Sequence, residues 1–565
     1  MDEKIRFNLI DEPWIRVLDD AGTAKEVSLL ELFHQAPKLK CLANDLPTQD
    51  FAILRVVLAI LQRSISPMLD DLDEDMEPAE VWGQLWEASE LPMDVIEVYL
   101  AKWHDRFDLF DPKRPFMQVP GLRTPKNELL SVSKIVADVP DGSKLFSLRS
   151  GHKLDELSFA EAARWLIHVQ AFDTAGIKSG VVGDQNIKGG KSYPRGTSWA
   201  GNLGGMFVEG DTLRETLLLN FILSGNDKSE FFFDADIPTW EQPLRPFGSL
   251  DKVPSGRTDI FTWQSRRVRL VAQHEMVTGL VLTNGDRLEA KNMQKLEPMT
   301  AWKRNAKQEK KLKQAPIYLP VGHKSSKALW RGLSSIFSIN NEEQDWSEVF
   351  EPGVLSWIEF LTSANGGRKL SKRKLLRVHG VGFEYGTQNS IITDVIDDAI
   401  LFSSFLLSSD GQTLMTLACN CVDETDQAIK ALGKLSANLS IAAGGDQSDT
   451  EGLITKIKTE AYFELDALFR HWLAGLDVAS NQSTAREQWH RQARTALASI
   501  ARRCVTEAGS GAIKGALKKG QHNKNGTWIT AAKAEAWFSG ELKKALPLES
   551  DITREEVSTS GKQGK

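Results

Sequence analysis

The chain has 565 residues, 41% of them apolar and 26% charged, with a formal net charge of −7 at pH 7. Single hydrophobic cores stop growing near about 250–300 residues, so this length predicts two to four domains, and the acidic balance argues against a protein that coats nucleic acid unaided. No apolar run reaches the roughly 18 residues of a membrane span, and the charged start Met-Asp-Glu-Lys-Ile-Arg lacks the apolar core of a secretory signal; a cytoplasmic protein without membrane contact is expected.

Along the chain the pattern reads as α+β. A large mixed α/β domain is predicted over 1–404, a C-terminal four-helix bundle over 405–548, and a disordered tail over 549–565. Residues 7–17 read as two short strands broken at Pro13. Residues 51–61 form a strongly apolar helix, with Thr48 as its expected N-cap. An aromatic turn segment covers 107–119, and 157–172 has helical period. A glycine-rich stretch, 176–205, follows directly. Residues 212–223 fit a helix or a buried strand, which periodicity does not separate. Beyond 405, four segments carry helical period: 412–443, 450–476, 484–507 and 527–546. In the third, Trp489, Ala493, Leu497, Ile500 and Cys504 fall on one stripe, as bundle packing requires.

Cys41, Cys419, Cys421 and Cys504 include no C-x-x-C pair, so reduced, mostly buried thiols are expected, with no metal site. The sixteen tryptophans are read as core anchors before stacking platforms. Two basic runs stand out against the acidic total. One is Lys303, Arg304, Lys307, Lys310, Lys311 and Lys313; the other is Arg368, Lys369, Lys372, Arg373, Lys374 and Arg377. Each is open to two readings, a solvated face or a contact with phosphates.

The glycine-rich stretch interleaves glycine with Lys178, Lys188, Lys191 and Arg195, which suits a backbone lying close to phosphates or bases. The string Lys188-Gly-Gly-Lys-Ser192 is not read as a nucleotide-binding phosphate loop. That motif needs glycine where Gln185 stands, and a helix opening at the lysine, whereas Tyr193-Pro194-Arg195-Gly196 follows. No HExxH or G-x-S-x-G string occurs, and Asp234 and Asp236 read as a turn. No catalytic residue and no cofactor are expected.

The segment from Ala175 through Asn220 resembles the corresponding stretch of the CasA family, the large subunit of the type I-E CRISPR Cascade surveillance complex. Further matches occur in the same order: Asn8-Leu-Ile-Asp-Glu-Pro-Trp-Ile-Arg-Val17, the aromatic segment from Phe107 to Val119, Pro238-Thr-Trp240, and Gly380-Val-Gly-Phe-Glu-Tyr-Gly-Thr-Gln-Asn-Ser390. The resemblance implies a non-catalytic protein that recognises the protospacer-adjacent motif (PAM) on double-stranded DNA, nucleates R-loop formation and recruits a separate helicase-nuclease. The implied partners are the backbone subunit, the small subunit, the subunit binding the 5′ end of the guide RNA, and the guide RNA itself.

It also implies three DNA-reading elements. A glycine loop falls on Gly176, Ile177, Lys178, Ser179 and Gly180, with Lys178 and Ser179 where some relatives have glycine. A lysine finger falls on Lys295, with Lys291 as the alternative. A β-hairpin wedge covers 382–390, with Gln388 at its tip and Asn389 beside it. The minor groove offers mainly acceptors, so lysine and glutamine donors with close backbone NH groups suit it. DNA-backbone contacts are expected from Lys303, Arg304, Lys307, Lys310, Lys311, Arg368, Lys369, Lys372 and Arg373, and a guide-RNA or core contact from Arg149, His152 and Lys153. Some relatives carry a zinc site ahead of the lysine finger; with no cysteine between 42 and 418, it is expected to be absent. Two other readings stay open: a nucleotide-dependent nucleic-acid enzyme built on the glycine-rich segment, and a scaffold that binds protein only.

Overall fold

The computed structural model describes residues 5–70, 77–139, 155–223, 235–337, 348–446, 450–518 and 526–551. Their contacts divide into two units. One comprises the chain up to Ser371 with Leu376–Ile400; the other comprises Lys372–Leu375 and the chain from Leu401.

The first unit opens on a turn rather than on the first of two strands. Asn8 bridges Asp108, and its side-chain oxygen accepts from the Ile10 amide at 3.0 Å, a local bond that competes with strand pairing. Regular structure begins after Pro13. β1 (Ile15–Asp19) lies between β2 (Ala24–Val27) and β3 (Leu39–Leu42) in an antiparallel sheet. Between β2 and β3, α1 (Leu29–Gln35) starts from a reciprocal cap: the Glu31 amide donates to the Ser28 hydroxyl, and the Ser28 amide donates to the Glu31 carboxylate.

α2 (Pro47–Asp70) is the spine of this unit. Its residues 51–61 are apolar on every face except at Arg55, and a helix without a polar face is stable only when enclosed. All of them are buried. The helix starts at Pro47, whose fixed φ suits a first helical position, so Thr48 lies inside the first turn instead of capping it. The Thr48 hydroxyl pairs with Nε2 of His168 at 3.0 Å, and burial pushes that imidazole down to about 3. After α3 (Pro78–Glu87), α4 (Met93–Trp103) and β4 (Leu157–Ser158) comes α5 (Phe159–Phe172), capped by Ser158 and packed on α2.

The glycine-rich segment carries β5 (Lys178–Ser179) and β6 (Lys191–Ser192) and leads into β7 (Gly205–Glu209). The ambiguous stretch 212–223 resolves as a short helix, α6 (Leu213–Leu219), because the Thr212 side chain accepts from the Glu215 amide. The helix stops where Asn220 turns its amide back onto both backbone groups of Val208. Asp236 caps α7 (Arg257–Phe261), accepting from the Thr258 and Asp259 amides; Asp234 lies outside the described residues. β8 (Arg266–Gln273) and β9 (Met276–Asn284) form a long hairpin, with β4 on its edge. β10 (Trp302–Arg304), α8 (Ala306–Leu312), β11 (Tyr318–Pro320) and β12 (Val349–Phe350) build a second small sheet in the order β11-β10-β12. α9 (Gly353–Thr362) leads to β13 (Leu375–Tyr385) and β14 (Ile392–Ser403), whose hairpin joins β7 in the order β14-β13-β7.

One ion pair sits at the centre of the first unit. Arg55 of α2 meets Glu297 through two parallel bonds of 2.9 and 2.7 Å, and neither side chain is more than 2% exposed. Glu297 also accepts from the Trp199 indole at 2.7 Å.

The second unit is a helical bundle. α10 (Gln412–Ala442) packs against α11 (Thr450–Ala474), α12 (Gln482–Glu507) and α14 (Ala531–Ala545), with a short α13 (Gly509–Lys514) between the last two. Trp489, Ala493, Leu497 and Ile500 are buried as their stripe predicts, and the Trp489 indole donates to Thr425 at 3.0 Å. The fourth helix starts at Ala531, later than its periodicity suggested. Thr527–Ile529 instead forms strand β16, paired with β15 (Ala516–Lys518), and Thr530 caps the helix. Asp551, placed in the expected tail, is paired with Arg494 at 2.5 Å; 552–565 lie outside the described residues. Trp14, Trp82, Trp165, Trp302, Trp330 and Trp489 are core anchors, while Trp528 and Trp537 are exposed. Among the described residues, no helix is long and apolar enough to cross a membrane.

Arg55→Met strands the Glu297 carboxylate in the core, which costs about 3–5 kcal/mol. Urea unfolding should show that loss, and adding Glu297→Gln should recover much of it, since the amide oxygen still accepts from Trp199.

Candidate nucleic-acid interface

One guanidinium holds both ends of the glycine-rich segment. Arg266, first residue of β8, pairs through Nε with Asp173 and donates from Nη2 to the carbonyls of Thr174 at 2.8 Å and Gly196 at 3.1 Å. Asp173 also receives the Lys178 ammonium at 2.7 Å. Burial alone would raise the Asp173 carboxyl, but Lys178 and Arg266 outweigh it and hold it below the usual range. Burial draws Lys178 below the usual lysine range, with its side chain 11% exposed. Lys178 is therefore a strut of the loop, turned inward, while Ile177 is exposed.

Within the loop, β5 and β6 pair as a small hairpin, and Lys188 bridges Lys191 across Gly189 and Gly190. Both glycines have left-handed φ, +57° and +72°, the geometry of a two-residue type I′ turn. The Lys-Gly-Gly-Lys-Ser string is thus a hairpin turn. Gly180 is needed for a second reason: its amide donates to the Gly190 carbonyl, and a Cβ there would lie 2.7 Å from that oxygen.

The β13–β14 hairpin delivers its tip to the same place. The Tyr385 hydroxyl donates to the Phe172 carbonyl at 2.7 Å, at the end of α5. The Asn389 carbonyl accepts from the Ala175 amide at 2.8 Å, a direct bond between hairpin tip and glycine loop. Gln388 and Asn389 are both exposed and both left-handed, with φ of 57° and 53°. For a non-glycine residue such as Gln388 this costs about 1–2 kcal/mol, and strained backbone clusters at working sites. The tip is closed by bonds from Gly386 to Ile391 at 3.0 Å and from Asn389 to Gly386 at 2.9 Å.

Lys291 and Lys295 lie between β9 and β10. Lys295 is exposed on a turn fixed by the amides of Leu296 and Glu297, both donating to the Met293 carbonyl. Glu297 links that turn to Trp199, at the exit of the glycine-rich segment. Lys291 lines a cavity with Arg195, Gly196 and Thr197 of that exit, and pairs with Glu289 at 3.2 Å.

The basic runs divide. Lys303, Lys307, Lys310 and Lys311 are exposed, the last three on α8, whereas Arg304 is turned to Glu309 at 2.8 Å. In the second run Lys369 pairs with Glu80 at 2.5 Å and Lys372 with Asp410 at 2.6 Å; Arg368 and Arg373 are exposed. Arg149, His152 and Lys153 lie outside the described residues.

Among the described residues one trio of metal-ligand type converges, Cys421, Glu424 and His490 in the bundle, a grouping that cysteine spacing alone gave no sign of. His490 there bonds to Glu424 and to the Pro547 carbonyl, each at 2.7 Å, and burial pushes the Cys421 thiol up. Through His490 the trio holds Pro547, just past the end of α14, against α12.

β13 is pinned to β7 beside the hairpin by His379, which stacks on Phe207 and lies 2.9 Å from Glu209. Burial pulls this imidazole down, but Asp397 and Glu209 outweigh it and carry it up to about 9 from an ordinary 6.5. A raised folded-state value gives stability that is complete below 6.5 and is lost as pH rises through 9. The thermal midpoint should therefore fall more steeply over that window in the wild type than in His379→Gln.

Comparison with known proteins gives a consistent set of likenesses. The family model CRISPR-associated protein Cse1 matches residues 8–500. The CRISPR-associated protein CasA/Cse1 of Thermus thermophilus is 27% identical over 481 residues, covering 83% of this chain and 86% of that protein. The crystal structure of Thermobifida fusca Cse1 is similar with a TM-score of 0.83 at 40% identity, covering 96% of this chain and 98% of that one. A chain of a solved CRISPR RNA-guided surveillance complex shares the fold, with a TM-score of 0.63 at 18% identity over 89% of this chain and 99% of that one.

Proposed function

The chain belongs to the Cse1 family of CRISPR-associated proteins, and on that premise we propose that it is the large, DNA-reading subunit of a type I-E Cascade surveillance complex. In that role it recognises the PAM on duplex DNA, opens the first base pairs for guide-RNA pairing, and recruits a helicase-nuclease, with no chemistry of its own. It works in the cytoplasm with the backbone, small and guide-end subunits and the guide RNA.

The observation that carries this reading is the bond from Ala175 to Asn389. Two segments far apart in sequence, one rich in glycine and one a strained hairpin tip, are held together with Gln388 exposed beside them. Minor-groove edges present mainly acceptors. The Gln388 amide, a lysine ammonium from Lys295 or Lys291, and loop backbone NH groups are the donors such edges need. A tip braced at both Tyr385 and Asn389 can also press between strands without yielding. Lys178 contributes to the loop's shape and not its charge.

A mobility shift tests this, using the assembled complex with guide RNA on duplexes with and without a PAM. Equal binding to both overturns the reading. Gln388→Ala and Lys295→Ala should each weaken PAM-duplex binding by about 1–3 kcal/mol, roughly 5- to 150-fold, with unchanged thermal midpoints. Lys291→Ala run in parallel decides between the two lysines. Replacing Lys303, Lys307, Lys310 and Lys311 by alanine should flatten the salt dependence by about one unit per phosphate contacted.

A further inference from the structure

We infer that the cavity between the exit of the glycine-rich segment and α8 receives one unpaired nucleotide of a DNA strand, an inference that rests on the DNA-reading role proposed above. The cavity has a volume of about 390 Å³, within the range of small-ligand sites. Its chemistry is layered. Leu288, Ile317 and Leu319 supply apolar wall, and Leu312 of α8 stands at the mouth 48% exposed, an apolar side chain left in water among charged ones.

Most of the polar groups inside are already occupied, though Oδ2 of the buried Asp286 has no hydrogen-bond partner. Thr197 donates to Asn202, Asn202 donates to the carbonyls of Ser198 and Trp199, and Ser265 accepts from the Trp199 amide. Arg266 is held by Asp173, and Asp286 by Arg267. A guest therefore meets apolar surface and mostly satisfied polar groups, with the Asp286 carboxylate left as one acceptor, which favours a flat aromatic ring that carries an N–H donor.

The mouth differs. Arg195, Arg287 and Lys291 line it, and their acidic neighbours are loosely engaged: Asp251 is 3.6 Å from Arg195 with its side chain 93% exposed, and Glu289 is 3.2 Å from Lys291. A phosphate there replaces solvated surface carboxylates at little cost. Beyond the mouth α8 carries exposed Lys307, Lys310 and Lys311, so the strand on either side of the guest continues over positive surface. Apolar interior, cationic rim and basic track together match a base, its phosphate and the adjoining backbone.

A free mononucleotide has the same chemistry as a nucleotide in a strand, so the test separates them. The full chain is titrated with three 2-aminopurine probes: the free deoxynucleoside monophosphate, a closed duplex, and a fork with the analogue at its first unpaired position. The fork should bind at least about tenfold more tightly than either other probe, with a change in emission as the base enters apolar surroundings. Leu312→Trp, which fills the mouth, should abolish that change. Arg287→Ala and Lys291→Ala, both at the solvent edge where folding is not at stake, should each weaken fork binding several-fold. Equal affinity for the free monophosphate overturns the assignment to a strand. An undiminished emission change in Leu312→Trp, or normal fork binding in both rim variants, overturns the site. PAM discrimination on closed duplexes is read separately: if it persists while the fork signal is missing, this inference alone fails, and if it is lost the DNA-reading role fails too.

Discussion

The glycine-rich segment has its shape because Arg266 is buried with most of its hydrogen bonds directed to the two sides of that segment, and one more to the Ser265 carbonyl. Its guanidinium takes the Asp173 carboxylate and the carbonyls of Thr174 and Gly196, so the two ends of the loop are joined through a single side chain. A buried charge left unpaired is expensive, and closing the loop gives the arginine its carboxylate and two of its carbonyl partners. Chain between those anchors can then be rich in glycine without losing a defined path. Flexibility of composition and rigidity of position coexist because the constraint is applied at the ends.

The second charge centre, Arg55 with Glu297, acts on the same region from the other side. Glu297 reaches Trp199, and the Trp199 amide donates to Ser265, the residue preceding Arg266. The glycine loop, the lysine-bearing turn and the spine helix are thus connected through three buried polar contacts and the peptide bond from Ser265 to Arg266. Such networks are often no more stabilising than an apolar core of equal volume. In this protein they hold two surface elements, the glycine loop and the lysine-bearing turn, at fixed positions on the buried spine helix, which apolar packing, having no directionality, does less well.

Much of the architecture was legible in the sequence because it depends on local patterns. The apolar run of α2, the period of α5, and the stripe from Trp489 to Ile500 each announce a buried face. Thr48 and Thr527–Ile529 misled for a local reason: a cap and a helix start were inferred without knowing that Pro47 already opens the helix or that β15 offers a partner strand. The site was legible in outline only. Lys178 looks like a phosphate ligand in sequence, and its inward turn is decided by Asp173 and Arg266, the latter far downstream. The left-handed conformation of Gln388 has no sequence signal, since glutamine is not a residue that favours it. The gathering of Cys421, Glu424 and His490 likewise comes from helix packing, which spacing does not reveal.

The bond between Ala175 and Asn389 is made by backbone atoms alone. Any side chain but proline at 175, and any at 389 that tolerates a left-handed φ, can keep it, so neither alanine scanning nor covariation between the two positions would detect it. It nevertheless transmits force. Whatever displaces the hairpin tip must either break that bond or carry the glycine loop along, and by reciprocity whatever holds the loop stiffens the tip. Two elements that a mutational survey would score as independent therefore respond to a load on either as one body.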